Sequence, residues 1–577
     1  MRWKLICLGL LLCALLGLAW VKAYVLQLSR GQALLQLSHR QTQRSHTTQG
    51  FRGSIYDQQG RLLAMTAPVW SLYAHPAKLQ QPRAVAEVLS GLLQRPAEQL
   101  YSKLTQPRPF VWLAHMLTQQ QLHQIRQLQL PGIGDRRSHR RFYPQHVLAG
   151  QLLGSVSQEK EQGTAGVELA FNALLQTHRQ RFTFVVDAVG NPVQTAGIPA
   201  AWQLQGWDIQ LTLDASLQYA TQQALTQAVQ QHQAHAAWAI VMHVPSGRIL
   251  SMASVPSCNP NAPAPHNPAC RNRPLFDAVE LGSVFKFVPL AAALDAGVVT
   301  PQQRIFCGKK GYRTGKFVIH DIAKRQWASV QEIFVKSINT GTIHIAQMLG
   351  KERLFAAMRR FGFGQRSGLG LIEESAGRID PPSRWGQARF ANVGMGYGFT
   401  ATSLQLLQAV AVVASGGVWV QPQLLQAIGS PASATAQSTA TAQHPMHWQH
   451  PSNYPRVHKR VLQPTAAKQI ARIMHAVTQQ GSGKNAAIAT AWVAGKTGTA
   501  EKVDSQTGRY NKKRNRSSFV GMASASGCFA SPNCSQIVAV VTVDEPRDAS
   551  YGGVVAAPVW RDIVEAALVQ LQQQGQK

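Results

Sequence analysis

The stretch Glu280-Leu-Gly-Ser283-Val-Phe-Lys286 stands at the start of an apolar run in the middle of the chain. Its spacing predicts that the Ser283 and Lys286 side chains lie on one face of a helix. A serine hydroxyl becomes a nucleophile when a base takes its proton, and a partly desolvated lysine is neutral enough to act as that base. The first N–H groups of a helix have no intrahelical partner, so the amide of Ser283 is available to an oxyanion.

Two later motifs offer further groups for the same chemistry. Ser337 and Asn339 stand beside a predicted helix, and their hydroxyl and amide are suited to relaying a proton and holding a substrate amide. The later run WVAGKTGTA predicts a strand edged by glycines, where backbone can approach a ligand closely. In that strand Lys496, Thr497 and Thr499 offer a cation and two hydroxyls to a substrate carboxylate.

A phosphate-binding loop is excluded. Such a loop needs a glycine five residues before its Gly-Lys-Ser/Thr, and Thr490 stands at that position before Gly495. The run Gly-Ser-Gly-Lys484 fails as well, because Thr478 and Asn485 occupy the positions that require Gly and Ser/Thr.

Length and net charge limit the number of domains and the kinds of binding partner. At roughly 150 residues each, the chain has room for about four domains. The net charge of +31, from 57 Lys and Arg against 26 Asp and Glu, suits nucleic acid or another anionic partner. The basic residues are scattered, however, and no nucleic-acid-binding motif accompanies the densest cluster at residues 512–516. We therefore expect no nucleic acid, and an acidic polymer outside the cytoplasm fits the charge at least as well.

The cysteines are few and unevenly placed. Cys7 and Cys13 lie in the apolar N-terminal run and are expected to behave as small hydrophobic residues. The remaining odd number leaves at least one cysteine unpaired, and no spacing matches a zinc site. Cys528 and Cys534 are the first pair to test, because Pro-Asn between them predicts a turn, but their pairing stays open. The disulfide state is likewise open for Cys258, Cys270 and Cys307.

The N-terminus predicts a membrane anchor. Arg2 and Lys4 precede an apolar run at residues 5–21, which becomes long enough to span a bilayer when it is continued to residue 28. A cleaved signal peptide is the competing interpretation, but no clear small-x-small cleavage site follows. We therefore expect an inside tail (1–4), a transmembrane anchor (5–28), an outside N-terminal domain (29–205) and a second domain with all three motifs (206–577).

The pattern of predicted elements favours the α+β class, with an antiparallel sheet packed against helices. Polar residues 29–47 predict a juxtamembrane helix or linker, and residues 429–454 predict a flexible surface insert. The predicted hairpins are 52–64 and 237–253, the predicted single strands are 181–187, 207–214 and 492–500, and the predicted helices are 84–93, 118–128 and 215–232.

The order Ser-x-x-Lys, Ser-x-Asn, Lys-Thr-Gly, on a helix, a loop and a strand, resembles the signature of penicillin-binding proteins and serine β-lactamases. The surrounding sequence is similar to class B penicillin-binding proteins, and within that class to the division-type peptidoglycan D,D-transpeptidases of the penicillin-binding protein 3 family. The residues that carry the similarity are 52–57, 272–273, 361–364, 396–398, Thr402, 404–405, 510–512, 518–521 and 551–559.

Several positions depart from the family pattern but leave every catalytic group in place. Pro289 lies in the helix after Lys286, so a kink or an irregular turn is predicted there. The usual family residues are replaced by Leu281, Val284, Ile338, Cys258 and Asn259.

The resemblance implies a mechanism through a serine acyl-enzyme. Ser283 attacks the carbonyl between the terminal D-alanines of a peptidoglycan stem peptide, and an amine from a neighbouring stem then forms the cross-link. Lys286 is the implied base, Ser337 passes the proton to the leaving amine, and Asn339 positions Lys286 and the substrate amide. The amides of Ser283 and Thr499 form the implied oxyanion hole. Lys496, also an implied catalytic residue, forms the implied carboxylate site with Thr497 and Thr499, and Gly498 is an implied substrate-binding residue.

The resemblance also implies the setting of the reaction. The N-terminal domain is an elongated pedestal of the dimerisation type, which binds a multi-spanning septal glycosyltransferase and other division proteins. The catalytic domain lies in the periplasm of a single-pass inner-membrane protein at the division septum. β-Lactams act as inhibitors, and no metal or organic cofactor is expected.

Three alternatives stay open. The first is an elongation-type transpeptidase of the same fold. The second is a hydrolase, either a carboxypeptidase or a β-lactamase, although no deacylating base is evident in the sequence. The third is a scaffold or β-lactam receptor that acylates slowly; full rescue of a division defect by Ser283→Ala would favour it over an enzyme.

Overall fold

The computed structural model of the chain consists of two compact units. It describes residues 2–29, 32, 35–38, 43–157, 161–177, 179–185, 187, 204–262, 267–308, 311–314, 317–321, 325–430, 447–450, 459–504, 506–531 and 534–575. The first unit comprises residues 1–52, 176–206 and 431–445, and the second comprises residues 53–175, 207–430 and 446–577. Most of the insert predicted at residues 429–454 lies outside the described residues.

Eighteen strands are described: β1 (Gln43–Gln49), β2 (Ile55–Tyr56), β3 (Leu62–Ala74), β4 (Val111–Leu117), β5 (Ile133–Phe142), β6 (Arg179–Val185), β7 (Asp208–Leu211), β8 (Ala236–His243), β9 (Ile249–Val255), β10 (Arg304–Phe306), β11 (Tyr312–Thr314), β12 (Phe317–Ile319), β13 (Trp327–Ser329), β14 (Leu425–Ser430), β15 (His447–Gln449), β16 (Trp492–Val503), β17 (Tyr510–Ser524) and β18 (Ile537–Asp544).

The described α-helices are α1 (Arg2–Tyr24), α2 (Pro82–Leu93), α3 (Ala97–Leu104), α4 (Gln119–Gln127), α5 (Gly150–Leu153), α6 (Gly166–Ala170), α7 (Asn172–Leu175), α8 (Ala215–Gln231), α9 (Arg273–Phe276), α10 (Phe287–Asp295), α11 (Val330–Val335), α12 (Asn339–Leu349), α13 (Lys351–Arg360), α14 (Gln387–Met395), α15 (Ser403–Ala414), α16 (Pro464–Gln480) and α17 (Gly552–Gly575). Short 3₁₀ helices occupy Pro76–Lys78, Pro268–Cys270, Gly282–Lys286, Pro382–Arg384 and Lys484–Ala486, and Val25–Ser29 is a π-helix.

The first unit contains the N-terminal helix and a two-stranded ladder. Arg2–Leu28 is long and apolar enough to cross a membrane. Strand β1 pairs antiparallel with β6, so the prediction of a helix or linker up to residue 47 was wrong from Gln43 onward. This polar segment is a strand because it pairs with β6, which is distant in sequence, and no local sequence pattern reveals that pairing.

The centre of the second unit is a five-stranded antiparallel sheet in the order β16-β17-β18-β8-β9. Ala239 and Val541 point to one face and pack with helices α8 and α17, while Ile240 and Val540 point to the other and pack with α10, α15 and α16. Because both faces are covered, β8 and β18 are nearly continuous apolar runs. The expected antiparallel sheet with helices, of the α+β class, is confirmed.

A second sheet of the same unit has the order β15-β14-β7-β2-β3-β4, with β5 added to β3. The predicted hairpin of residues 52–64 is confirmed by the antiparallel pairing of β2 with β3. Strand β2 also pairs in parallel with β7, which was not predicted. A small separate core forms where α2, α3 and α4 pack on β3 and β4.

The described residues contain two disulfides. Cys528 is bonded to Cys534, as proposed for the first pair to test, although the Pro-Asn turn between them lies outside the described residues. Cys258 is bonded to Cys270, a pairing that the sequence did not predict. Cys307 is a buried free thiol.

Candidate active site

The nucleophile segment is a 3₁₀ helix rather than the start of an α-helix. The 3₁₀ helix spans Gly282–Lys286, and α10 begins at Phe287. Pro289 then falls in the first turn of α10, where its missing N–H costs no intrahelical bond, and the irregular turn predicted at Pro289 instead lies just before it, at Gly282–Lys286. Side chains three residues apart are eclipsed in a 3₁₀ helix, which places Ser283 in line with Lys286.

Lys286 is fully buried and hydrogen-bonded at its amine. Its Nζ donates to the carbonyl oxygen of Ser337 at 2.9 Å and to Oδ1 of Asn339 at 2.6 Å, and it lies 3.3 Å from Oγ of Ser337. Burial lowers the pKa of Lys286 to about 7, while the charge of Asp321 opposes that shift. A lysine with this pKa is substantially neutral at physiological pH and can accept a proton.

Ser337 lies in a bent loop between α11 and α12. Its φ of 57° is in the left-handed region, which is rare for a residue other than glycine. The bend turns both its carbonyl and its hydroxyl toward Lys286. Local strain at a non-glycine residue is common at functional sites, and here it delivers two oxygen atoms to one amine.

Asn339 is held by an acidic residue that the sequence analysis missed. The Asp321 carboxylate accepts hydrogen bonds from the backbone N–H of Asn339, and from the N–H (3.2 Å) and hydroxyl (2.5 Å) of Thr340. A carboxylate at a helix N-terminus satisfies free N–H groups and favours the helix dipole. Asp321 is 18 residues from Asn339 in sequence, so no motif spacing reveals it.

Lys496 reaches the same serine from the edge of β16. Its Nζ donates to Oγ of Ser337 at 3.1 Å and to the carbonyl oxygen of Thr497 at 3.0 Å. Lys496 is fully buried, and burial together with the charge of Lys286 lowers its pKa well below the usual value. The hydroxyl of Ser337 therefore lies between two buried amines, the arrangement that a proton relay requires.

The residues after Lys496 line the strand next to the nucleophile. Oγ1 of Thr497 is 2.6 Å from Oγ of Ser482, a contact that the sequence did not predict. Oγ1 of Thr499 donates to the carbonyl oxygen of Ser550 at 3.2 Å. A Cβ on Gly498 would stand 2.8 Å from Cγ1 of Val284, so only glycine permits this close approach.

A second missed residue, Glu280, joins three segments around the nucleophile. Its carboxylate accepts hydrogen bonds from the Gly398 N–H at 2.7 Å and the Tyr510 hydroxyl at 3.1 Å, and burial raises its pKa. The ring of Tyr510 packs edge to face on Tyr397 at 5.5 Å, and the Tyr397 hydroxyl is 3.4 Å from the Thr499 carbonyl oxygen. The partners of Glu280 lie 118 and 230 residues away, beyond the reach of a local motif.

The structure thus brings the three motifs together. Lys286, Ser337, Asn339 and Lys496 form one hydrogen-bonded cluster, and Ser283 is half-buried one 3₁₀ turn before Lys286. The Ser283 hydroxyl makes no hydrogen bond to any residue that the structure describes, which leaves it available to a substrate. The arrangement can deprotonate a serine and transfer an acyl group.

Comparison with known proteins agrees with this chemistry. Residues 237–565 match the family model described as the penicillin binding protein transpeptidase domain, and residues 47–211 match the penicillin-binding protein dimerisation domain. The probable peptidoglycan D,D-transpeptidase PbpC of Pseudomonas aeruginosa is 30% identical over 526 residues, which cover 90% of this chain and 86% of that protein. The peptidoglycan D,D-transpeptidase FtsI of Escherichia coli K12 is 28% identical over 568 residues, which cover 96% and 90%.

Solved structures show the same fold. Penicillin binding protein 3 of Mycobacterium tuberculosis, complexed with aztreonam, has a TM-score of 0.67 at 24% identity, covering 91% of this chain and 97% of that one. Penicillin binding protein 2X of Streptococcus thermophilus has a TM-score of 0.68 at 21% identity, covering 91% and 80%. At this level of identity the likeness concerns the fold.

Proposed function

Because the chain belongs to the class B penicillin-binding proteins, we propose that it cross-links peptidoglycan stem peptides as a serine-type D,D-transpeptidase. The observation that carries the proposal is the hydrogen-bonded cluster of Lys286, Ser337, Asn339 and Lys496, one helical turn from the half-buried hydroxyl of Ser283. The relatives named peptidoglycan D,D-transpeptidases support the same reaction.

In the acylation step, neutral Lys286 takes the proton of Ser283 as its Oγ attacks the carbonyl between the two terminal D-alanines. The C–N bond then breaks, and Ser337 delivers a proton to the leaving amine of D-alanine. The protonated Lys286 restores the Ser337 hydroxyl, so the proton count balances. Donors in the oxyanion hole, here the amides of Ser283 and Thr499, typically contribute a few kcal/mol each.

The second step regenerates the serine. An amine from a neighbouring stem attacks the ester carbonyl, gives its proton to Lys286 and forms the new amide, while the Ser283 oxygen leaves and takes that proton back from Lys286. Asn339 keeps Lys286 in place through its 2.6 Å hydrogen bond. In the preceding acylation step, Lys496, Thr497 and Thr499 hold the terminal carboxylate, which then leaves with D-alanine, and its negative charge favours the protonated form of Lys496.

The setting of the reaction belongs to the same proposal. Residues 1–4 form the cytoplasmic tail, 5–28 the inner-membrane anchor, 29–205 the pedestal and 206–577 the periplasmic transpeptidase domain. The apolar helix Arg2–Leu28 supports the anchor, and the two family matches support the division into two domains. The FtsI-type relatives support a septal role beside a multi-spanning glycosyltransferase and other division proteins.

The decisive experiment is the intact mass of the purified chain after incubation with a fluorescent penicillin, for the wild type and for Ser283→Ala. We expect one long-lived adduct in the wild type and none in the variant. An adduct that forms and disappears within minutes would identify a hydrolase. Equal labelling of both proteins would contradict the assignment of Ser283.

The division role has its own test. A tagged chain is expected at midcell, and cells depleted of the chain are expected to form filaments that the wild-type gene reverses. Uniform staining of the lateral wall would favour the elongation-type enzyme. Full rescue by Ser283→Ala would favour a non-catalytic scaffold.

A further inference from the structure

One face of the three-stranded region formed by β3, β4 and β5 has no helix packed on it in the described structure. Leu72 of β3 and Leu113 of β4 point to the opposite face, where they pack with Leu89 of α2 and Leu122 of α4. Because successive side chains of a strand point to opposite faces, the neighbours of Leu72 in β3 point away from these helices. We call this side the basic-aromatic face; its members are Ser71, Tyr73, Trp112, His115, Arg136 and Arg140.

Strand register places these members together. Ser71 is paired with Arg136, and Ala67 of β3 is paired with Arg140. Tyr73 is paired with Trp112 on the other side of β3. Nδ1 of His115 lies 2.9 Å from Oγ of Ser71, so β4 contributes to the same side.

Aromatic rings form a row at one end of the face. Tyr73 stacks on Phe110 with ring centroids 5.0 Å apart, Phe110 meets Trp112 edge to face at 4.8 Å, and Trp112 lies 5.2 Å from His115. Tyr73 also covers Gly134 of β5, where a Cβ would stand 2.5 Å from the ring. From Ala67 to Tyr73 the strip is about 20 Å long at the usual rise of a strand.

The cations of this face have no partner among the described residues. Arg136 is exposed and Arg140 is half-buried, and neither makes a hydrogen bond or ion pair with any residue that the structure describes. The nearest acid on β5, Asp135, points to the helix side and pairs with Arg126 at 2.7 Å. The half-buried guanidinium of Arg140 is therefore available to an anionic ligand.

The surrounding field supports this conclusion. Burial, together with the charges of Arg140, Lys103 and Arg95, lowers the pKa of His115 to about 4. His115 is therefore neutral at physiological pH, and the positive charge comes from permanent cations. Arg140 has its own pKa lowered by burial and by Arg95, without any compensating carboxylate.

We infer that the basic-aromatic face binds the glycan strands of peptidoglycan. The apolar C–H faces of the sugar rings would pack on Tyr73 and Trp112, whose rings combine an apolar surface with a polar edge. Carboxylates of the attached stem peptides would pair with Arg136 and Arg140, because guanidinium matches a carboxylate with two parallel hydrogen bonds. This inference rests on the proposed function, which makes this polymer the substrate of the chain.

The composition of the face favours a glycan over an acidic protein segment. The centres of protein interfaces are largely apolar, whereas this face presents aromatic rings, an imidazole and guanidinium groups along an extended strip, and Ser71 is buried beneath His115. Besides these members, the aliphatic residue Val69 of β3 lies on the same side, between the aromatic row and Arg140. A polymer of rings with regularly spaced carboxylates matches both the length of the strip and its charge.

The test uses the full chain in detergent, acylated at Ser283 with penicillin so that the active site is closed. Sedimentation with purified sacculi at fixed salt gives the apparent affinity. Replacing both arginines, Arg136→Glu with Arg140→Glu, is expected to weaken binding by about tenfold or more. The matched control, Arg83→Glu with Arg353→Glu, makes the same charge change elsewhere and is expected to alter binding less than about twofold.

A second variant separates stacking from charge. Trp112→Leu keeps an apolar side chain but removes the flat ring, and we expect it to weaken binding to sacculi while the melting temperature reports on folding. Unchanged binding in the double charge variant would overturn the inference. Displacement of sacculi by polyglutamate at an equal carboxylate concentration would also overturn it, because the face would then recognise acidic protein.

Two further outcomes complete the test. In one outcome, the double charge variant loses binding to phosphatidylglycerol vesicles while its binding to sacculi is unchanged. The face would then bind a membrane, and the inference that it binds glycan strands would be overturned. Acylation of Ser283 is measured separately by intact mass. Failure to acylate with intact sacculus binding would refute the proposed function alone, and normal acylation without sacculus binding would refute this inference alone.

Discussion

The Nζ of Lys286 lies 2.6 Å from Oδ1 of Asn339. An amide oxygen can only accept a hydrogen bond, so this contact takes one N–H of the lysine and orients the rest of the amine. When Lys286 is neutral, its lone pair is directed away from Asn339. The contact therefore fixes both the position and the direction of the base.

The first prediction concerns pH. Burial lowers the pKa of Lys286 to about 7, and only the neutral amine can accept the proton of Ser283. The acylation rate constant with a chromogenic β-lactam should rise as pH increases through about 7 and should fall about tenfold for each unit below it. Stopped-flow measurement from pH 5 to pH 9 gives the profile. A rate that is flat across this range would contradict the assignment of Lys286 as the base.

The second prediction concerns Asp321. Its negative charge raises the pKa of Lys286, so Asp321→Asn should move the acid limb of the same profile to lower pH. The plateau rate should also fall, because the amides of Asn339 and Thr340 lose a charged acceptor. An acid limb that stays in place would show that the Asp321 charge does not act on the base.

The third prediction concerns Glu280. Glu280→Ala leaves the Gly398 N–H and the Tyr510 hydroxyl without their acceptor and should lower the acylation rate constant about tenfold. Glu280→Gln keeps an accepting oxygen and should recover most of the rate. The matched control is Glu374→Ala, since Glu374 is also a carboxylate removed from solvent, here fully buried, and accepts the N–H of Ser367. We expect that control to lose stability but not acylation; equal losses in both alanine variants would make Glu280 a general structural residue.

The fourth prediction concerns the close contact at Gly498. In Gly498→Ala the new Cβ would stand 2.8 Å from Cγ1 of Val284, so β16 must move away from the nucleophile turn. A displacement of about 1 Å at a reacting centre can cost about 100-fold in rate. Gly386→Ala is the control, because a Cβ there meets no atom within 4 Å. Acylation rates and melting temperatures of both variants decide whether the loss is specific to the site.

Sequence reasoning recovered the catalytic motifs because each is local. The spacing of Ser283 and Lys286, of Ser337 and Asn339, and the run around Lys496 are short patterns whose chemistry is visible in the residue types. The strands and helices around them were predicted for the same reason: the continuous apolar run of residues 237–242 and the helical pattern of residues 215–232 reflect which side chains are buried.

What the sequence could not reveal depends on distant partners. Asp321 and Glu280 matter through contacts made across the fold, and β1 is a strand only because β6 pairs with it. The 3₁₀ form of Gly282–Lys286 arises from a glycine with positive φ at its start and from packing against β16, which no propensity encodes.

The Cys258–Cys270 disulfide closes a loop of 12 residues between β9 and α9, just before the segment that leads to Ser283. Closing a short loop of this kind typically contributes about 3 kcal/mol by restricting the unfolded chain. Such bonds form in oxidising compartments and are opened by cellular reductants. The loop that precedes the Ser283 segment is therefore cross-linked or open according to the redox potential of its compartment, although no sulfur atom takes part in the proposed reaction. Two preparations with identical sequence, one kept in reductant and one not, therefore differ covalently in the loop that precedes the nucleophile segment.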